Sequence, residues 1–185
     1  MRLMFDSVDP LDIPEDAPIV AGYVDGAYAW PEREWQRFPR AVRVTITVRG
    51  LDSWFGAHAN VLDVENGAAT EEMALQWARA VRANHRIPTI YCSADTLPKL
   101  SQSFRNAGEP MPLWWVAAWP GAGAVIPAGC VAHQFLHDLN CYDLSVVEDY
   151  WPGVDPAVDQ GLAQRCLDAA RSLQEVAGQL KKIGL

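Results

Sequence analysis

Nowhere does the chain approach the roughly 18 consecutive apolar residues that a membrane-spanning helix needs, so no such span is expected. The opening residues, Met1-Arg2-Leu3-Met4-Phe5-Asp6, reach an acid before any apolar run develops. That pattern excludes an ordinary signal peptide. It predicts synthesis in the cytoplasm, with a phage virion or release by lysis as the way out. Basic residues are also scarce: 15 Lys and Arg stand against 23 Asp and Glu, for a net charge of −8, and the longest basic run is Lys181-Lys182. Nucleic acid and anionic membranes are therefore poor partners, and a neutral or cationic polymer fits better. Cys92, Cys130, Cys141 and Cys166 have neither CxxC nor paired-ligand spacing, which reads as free thiols and no metal site. His133 and His137 lie four apart, but residues 131–135 read as a strand, so they are not expected to share a metal-binding face. No cofactor is implied.

Half of the 185 residues are hydrophobic, enough for one domain with a substantial core. The chain is organised around Ala59-Asn60-Val61-Leu62-Asp63-Val64-Glu65-Asn66-Gly67, an apolar strand that ends in two acids and breaks at Asn-Gly. Residues i and i+2 of a strand point to one side, so Asp63 and Glu65 are expected to project together. Mutual repulsion then predicts one carboxyl with a raised pKa and one with a lowered pKa, suited to acid catalysis beside a persistent anion. The bland alternative is a pair of solvated acids at a turn.

Along the chain, residues 1–18 are rich in Pro and acid and read as an irregular lead-in. Strands are predicted at 19–24, stopped by Asp25-Gly26, and at 42–48, where Val42, Val44, Ile46 and Val48 alternate with polar residues. Further strands fall at 87–93, 113–119, 131–135 and 142–147. Helices are predicted at 31–39, at 71–84 with Thr70 as cap, and at 94–106, where Pro98 should cause a break. From Pro156, apolar residues recur every three or four positions to about residue 182, which predicts a long amphipathic helix. It either packs on the domain or serves self-association or tethering. The expected division is thus a barrel domain at 1–152 and this element at 153–185.

Strands alternating with helices imply an α/β fold and a parallel sheet, and six or more strands suggest a barrel whose chemistry sits at the strands' C-terminal ends. Those ends carry Asp25, Asp63, Glu65, Tyr91, Trp119 and Gln134, while Asp143 opens its own strand. Asp25 and Asp143 also fit turn or strand-edge roles, and both readings stand. Trp114 and Trp115 must face opposite sides of their strand, so at least one is packing.

The ordered set Gly22-Tyr23-Val24-Asp25, Leu62-Asp63-Val64-Glu65, Pro88-Thr89-Ile90-Tyr91, Leu113-Trp114-Trp115-Val116-Ala117-Ala118-Trp119, Ala132-His133-Gln134-Phe135 and Tyr142-Asp143-Leu144-Ser145 resembles glycoside hydrolase family 25, the lysozyme-like muramidases, and its actinobacterial and phage relatives. The resemblance implies an irregular, TIM-like (β/α) barrel that hydrolyses the β-1,4 bond of peptidoglycan. By that resemblance Glu65 is the general acid, and Asp63 stabilises developing positive charge or orients an N-acetyl group. Asp25 is the first-strand acid and Asp143 the last-strand Asp, while Tyr91, Trp119 and Gln134 line the sugar sites. The family's usual β/α unit before the Asp-x-Glu strand is reduced here to residues 51–59, which predicts an abbreviated barrel open on one side. The alternative function is a non-catalytic carbohydrate-binding or structural barrel in a phage particle or cell-envelope assembly.

The cysteine spacing yields a direct check. A thiol titration in denaturant without reductant is expected to return four thiols per chain, and a lower count would reveal a disulfide.

Overall fold

The computed structural model describes residues 1–118, 123–139 and 141–156. Of the predicted element at 153–185 only residues 153–156 are described, and the predicted helix beyond Pro156, Cys166 and Trp119 lie outside the described residues. Within Met1–Asp155, which form one compact unit, the fold is an α/β barrel closed by eight strands in sequence order. These are β1 (Arg2–Asp6), β2 (Ile19–Tyr23), β3 (Val42–Thr47), β4 (Val61–Asp63), β5 (Thr89–Ser93), β6 (Leu113–Ala117), β7 (Ala132–Leu139) and β8 (Tyr142–Val147). Neighbours from β1 to β7 pair in parallel, and β8 runs antiparallel to both β7 and β1.

The lead-in expected at residues 1–18 is therefore corrected. Its first residues form β1, which pairs Phe5 with Val20 on one side and Asp6 with Asp143 on the other. Pro residues begin only at Pro10, so the five residues before Ser7 are free to extend. With this strand in the seam the barrel closes, contrary to the expected opening. Residues 51–59 hold two short 3-10 turns, Gly50–Asp52 and Gly56–His58, where a helix would otherwise cross.

Alternation along the strands separates two layers. Met4, Ile19, Ala21, Val44, Ile46, Val61, Trp115, Ala132 and Val147 fill the barrel, and Trp151 packs with them. The Trp151 indole donates to Thr89 Oγ1 at 3.0 Å. Arg2 braces this segment, donating through two nitrogens to Asp155 at 2.8 and 2.6 Å.

On the outside, Leu62, Ile90, Val116 and Trp114 meet α2 (Glu71–Ala83) and α3 (Leu97–Asn106). Trp115 thus faces in and Trp114 out, as strand geometry requires. Thr70 caps α2 by accepting from Met73 N, and Glu71 and Glu72 favour its positive end. The buried residues Ala74, Trp77, Ala78 and Val81 recur at helical spacing. Pro98 does not break α3. It lies in the first turn, where its missing N–H has no helical partner to lose, so one helix runs through to Asn106.

A third cluster packs Trp30, Trp35 and Phe38 against Ile13, Ala17 and Val20, around the single turn α1 (Glu32–Trp35). Gly22 allows this. A Cβ there would sit 2.5 to 2.7 Å from the Trp30 ring. Gly22→Ala is expected to cost about 1–3 kcal/mol through overpacking, read as a melting temperature lower by roughly 2–10 °C. An unchanged melting temperature would show that Trp30 swings aside freely.

Candidate functional site

The parallel strands deliver their C-terminal ends to one mouth of the barrel, and β8, being antiparallel, begins there. Asp6, Tyr23, Glu65, Tyr91, Trp115, Gln134, His137 and Asp143 line a cavity of about 170 Å³ at this mouth. A larger cavity of about 480 Å³ lies on the flank, between α1, β3 and Phe55. Of these two, the cavity at the mouth gathers Asp6, Glu65 and Asp143, which makes it the candidate site.

Asp63 ends β4, two residues beyond the inward-facing Val61, and points into the mouth. It is 4% exposed. The Tyr23 hydroxyl donates to its Oδ2 at 3.1 Å, and its Oδ1 is buried without a partner. Glu65 lies past the strand in a bend and is exposed. The pair does converge, although only Asp63 belongs to the strand.

Burial, reinforced by the charge of Glu65, pushes the Asp63 carboxyl up to about 7. Burial also raises Glu65, opposed by His137. The expectation of one raised and one lowered value is corrected: desolvation lifts both, and the buried member rises further.

Behind the pair runs a polar network. The Tyr91 hydroxyl donates to Gln134 Oε1 at 2.8 Å. Gln134 Nε2 donates to Asp143 Oδ2 at 2.7 Å and to Asp6 Oδ2 at 3.2 Å. His137 Nδ1 lies 3.1 Å from Asp143 Oδ2. Asp6 is held well above the usual carboxylate range by burial and then by the Asp143 charge, with the Gln134 hydrogen bond opposing. Burial and the surrounding carboxylates raise both tyrosines, so they stay neutral donors. The Trp115 ring lies 4.6 Å from that of Tyr91, tilted by 58°, and its indole donates to Ser145 Oγ at 3.0 Å.

Tyr91, Gln134 and Asp143 thus join Asp63 and Glu65, as expected. Asp25 does not. Its carboxylate accepts from Thr47 Oγ1 at 2.6 Å and from Val48 N at 2.9 Å, which ties the loop after β2 to the end of β3. Two residues past the inward-facing Tyr23, it has left the strand and satisfies loop donors. The first-strand acid in the mouth is Asp6.

Sequence reasoning also passed over Tyr23, Trp115 and His137. For Asp6 a signal was present: Leu3-Met4-Phe5-Asp6 is an apolar stretch ending in acid, like the one before Asp63. Among the described residues no cluster of His, Cys, Asp and Glu is arranged to hold a metal ion. The described cysteines Cys92, Cys130 and Cys141 are unpaired, and burial pushes the Cys92 thiol up to about 12.

Fold and site together define a closed α/β barrel with an acidic mouth lined by aromatic side chains. No protein-family model matches the chain, and neither a curated protein nor a solved structure matches it.

The raised Asp63 value carries a stability consequence. Its neutral form is favoured in the folded state, so this contribution is complete below the unfolded value near 3.8 and is lost as pH rises through about 7. Asp63→Asn is expected to be more stable than wild type at pH 8, by up to about 4 kcal/mol. The advantage should fade toward pH 4. Urea denaturation across that range checks it, and a gain that is independent of pH would exclude ionisation as its cause.

Proposed function

We propose that the barrel is a peptidoglycan glycosidase of the muramidase type, with Glu65 and Asp63 as its carboxylate pair and an irregular TIM-like barrel as its scaffold. The observation that carries this reading is the coupling of an exposed Glu65 to a buried Asp63 at the C-terminal end of β4, both with raised pKa values. Seven parallel strands with crossover segments, followed by one antiparallel strand, support the scaffold assignment.

Glu65 is the member open to a ligand and serves as general acid toward the leaving oxygen. Asp63, steadied by the Tyr23 hydroxyl, holds the shared proton in the empty site and supplies negative charge opposite the developing oxocarbenium once that proton has passed to Glu65. Tyr91 offers ring surface to the sugar, and the buried Trp115 supports that ring from below. Asp6, Gln134 and Asp143 form the far wall, where hydroxyl groups are received. The partner is peptidoglycan or a related glycan, met through a phage particle or after lysis.

The pair works while it holds one proton between its two carboxyls, and its titration belongs to both residues. The rate is therefore expected to follow a bell, with its alkaline limb near pH 7 as Asp63 and Glu65 both become anions.

The second reading, a non-catalytic glycan-binding or structural barrel, is favoured by one feature. Asp63 is 4% exposed, and its neutral form is stable in the empty site. Muropeptide release from purified peptidoglycan separates the two. Glu65→Gln is expected to keep the fold and glycan binding while cutting release by at least about 100-fold, because the amide cannot donate the proton. A wild-type protein that releases no reducing ends, with Glu65→Gln melting higher, would leave the binding role.

A further inference from the structure

Glu65 stands between two cavities. On its inner side is the mouth, where it has Tyr23, Tyr91 and Gln134 for company. On its outer side is a second cavity of about 180 Å³, bordered by Val64, Asn66, Thr96, Lys99 and Leu100. Among the described residues Glu65 is the one that lines both. The mouth holds about 170 Å³, so each space falls short of the roughly 300–1,000 Å³ of pockets that enclose a whole ligand, and the two side by side enter that range.

The backbone explains this placement. Strand β4 stops at Asp63, and the chain then makes a turn in which Ala68 N donates to Glu65 O at 3.0 Å. Gly67, the third residue of that turn, takes the left-handed conformation it requires, with φ at 90°. Ala69 N donates to Asp63 O at 3.1 Å and fastens the turn to the strand end. Glu65 is thereby carried onto the rim, and Asn66 follows on the outer side.

The outer cavity has a core floor and a polar border. Val64 and Leu100 are buried in the layer between the barrel and its helices. Lys99 Nζ lies 3.1 Å from Glu71 Oε2, which leaves two of its three N–H bonds for other acceptors. Thr96 Oγ1 shares a hydrogen bond with Ser93 Oγ at 2.9 Å. The exposed Asn66 amide makes no hydrogen bond among the described residues. It is able both to donate and to accept, as the substituents of a sugar ring do.

We propose that a glycan crosses the rim at Glu65, with the ring that becomes the oxocarbenium in the mouth and the leaving pyranose ring in the outer cavity, held by Asn66 with Lys99 beside it. This inference rests on the glycosidase reading and adds to it the seat of the leaving group. A general acid must stand beside the glycosidic oxygen, between the two rings which that oxygen joins. Tyr23 and its partner Asp63 lie on the inner side, which assigns the ring that gains positive charge to the mouth. Glu65 gives its proton to the glycosidic oxygen, and the C–O bonding pair leaves with that oxygen as a hydroxyl of the outer ring. Water then adds to the mouth ring and returns a proton to the carboxylate pair.

Two substrates with the same donor sugar test this: the peptide-free tetrasaccharide of peptidoglycan, and a nitrophenyl glycoside in which the aryl group replaces the outer ring. Asn66→Ala is expected to lower kcat/KM for the tetrasaccharide at least about five-fold more than for the aryl glycoside, the scale of one or two lost hydrogen bonds. Lys99→Ala is expected to shift the same ratio in the same direction. Equal losses on both substrates, or no loss on the tetrasaccharide in Asn66→Ala, would overturn the inference.

Where either substrate is not turned over, calorimetry with the tetrasaccharide decides. Asn66→Ala is expected to weaken binding at least about five-fold, and an unaltered affinity, or no binding by wild type at millimolar concentration, would overturn the inference. Cleavage with equal losses on both substrates would remove the outer ring site and keep the glycosidase. No cleavage, with a tetrasaccharide affinity that depends on Asn66, would do the reverse.

Discussion

The barrel depends on hydrogen bonding along both edges of β1. A sheet that ended at β2 and β8 would leave two rows of backbone N–H and C=O groups open to other chains. The five residues Arg2–Asp6 fill that seam, parallel to β2 and antiparallel to β8. Closure also aims the side chains: once β1 is in register, Met4 enters the core and Asp6 rises to the mouth opposite Asp143. The interior below is apolar and plugged by Trp151, so polar groups inside the barrel concentrate toward one end.

That gradient of polarity creates the electrostatics of the site. Carboxylates placed over an apolar core lose hydration, and they stand close enough to one another to disfavour joint ionisation. Tyr23 and Gln134 relieve part of this by donating to Asp63, Asp6 and Asp143, but among the described residues Asp63 Oδ1 and Asp6 Oδ1 meet no donor. The protein thereby gives up stability at neutral pH to hold carboxyls with raised proton affinity at the mouth. Asp25 makes the contrast plain. It belongs to the same residue type and follows the next strand, yet it is fully satisfied by Thr47 and Val48 and serves the loop.

What could be read from the chain followed from local physics. The alternation of Val42, Val44 and Ile46, the helical spacing of Ala74, Trp77, Ala78 and Val81, and the cap at Thr70 each depend on near neighbours. The opposite facing of Trp114 and Trp115 follows from the pleat alone. The convergence of Asp63 and Glu65 with Tyr91 and Gln134 was also legible, because strands that alternate with helices bring their C-terminal ends together. Pro98 was misjudged for a local reason as well: a proline ends a helix from within but opens one from its first turn, and the register of α3 decides which.

The sequence by itself determined the α/β class, most strands, and the acid pair that ends β4, since periodicity and strand polarity are properties of short segments. Only the tertiary structure decided that Arg2–Asp6 is a strand, because five residues of weak pattern gain their identity from two partners far along the chain. It likewise decided between Asp6 and Asp25, which look alike in sequence and differ in where the barrel carries them. The order of the proton affinities was also a tertiary matter. Burial sets how much hydration each carboxyl loses, and the fold buries Asp63 while leaving Glu65 open to solvent.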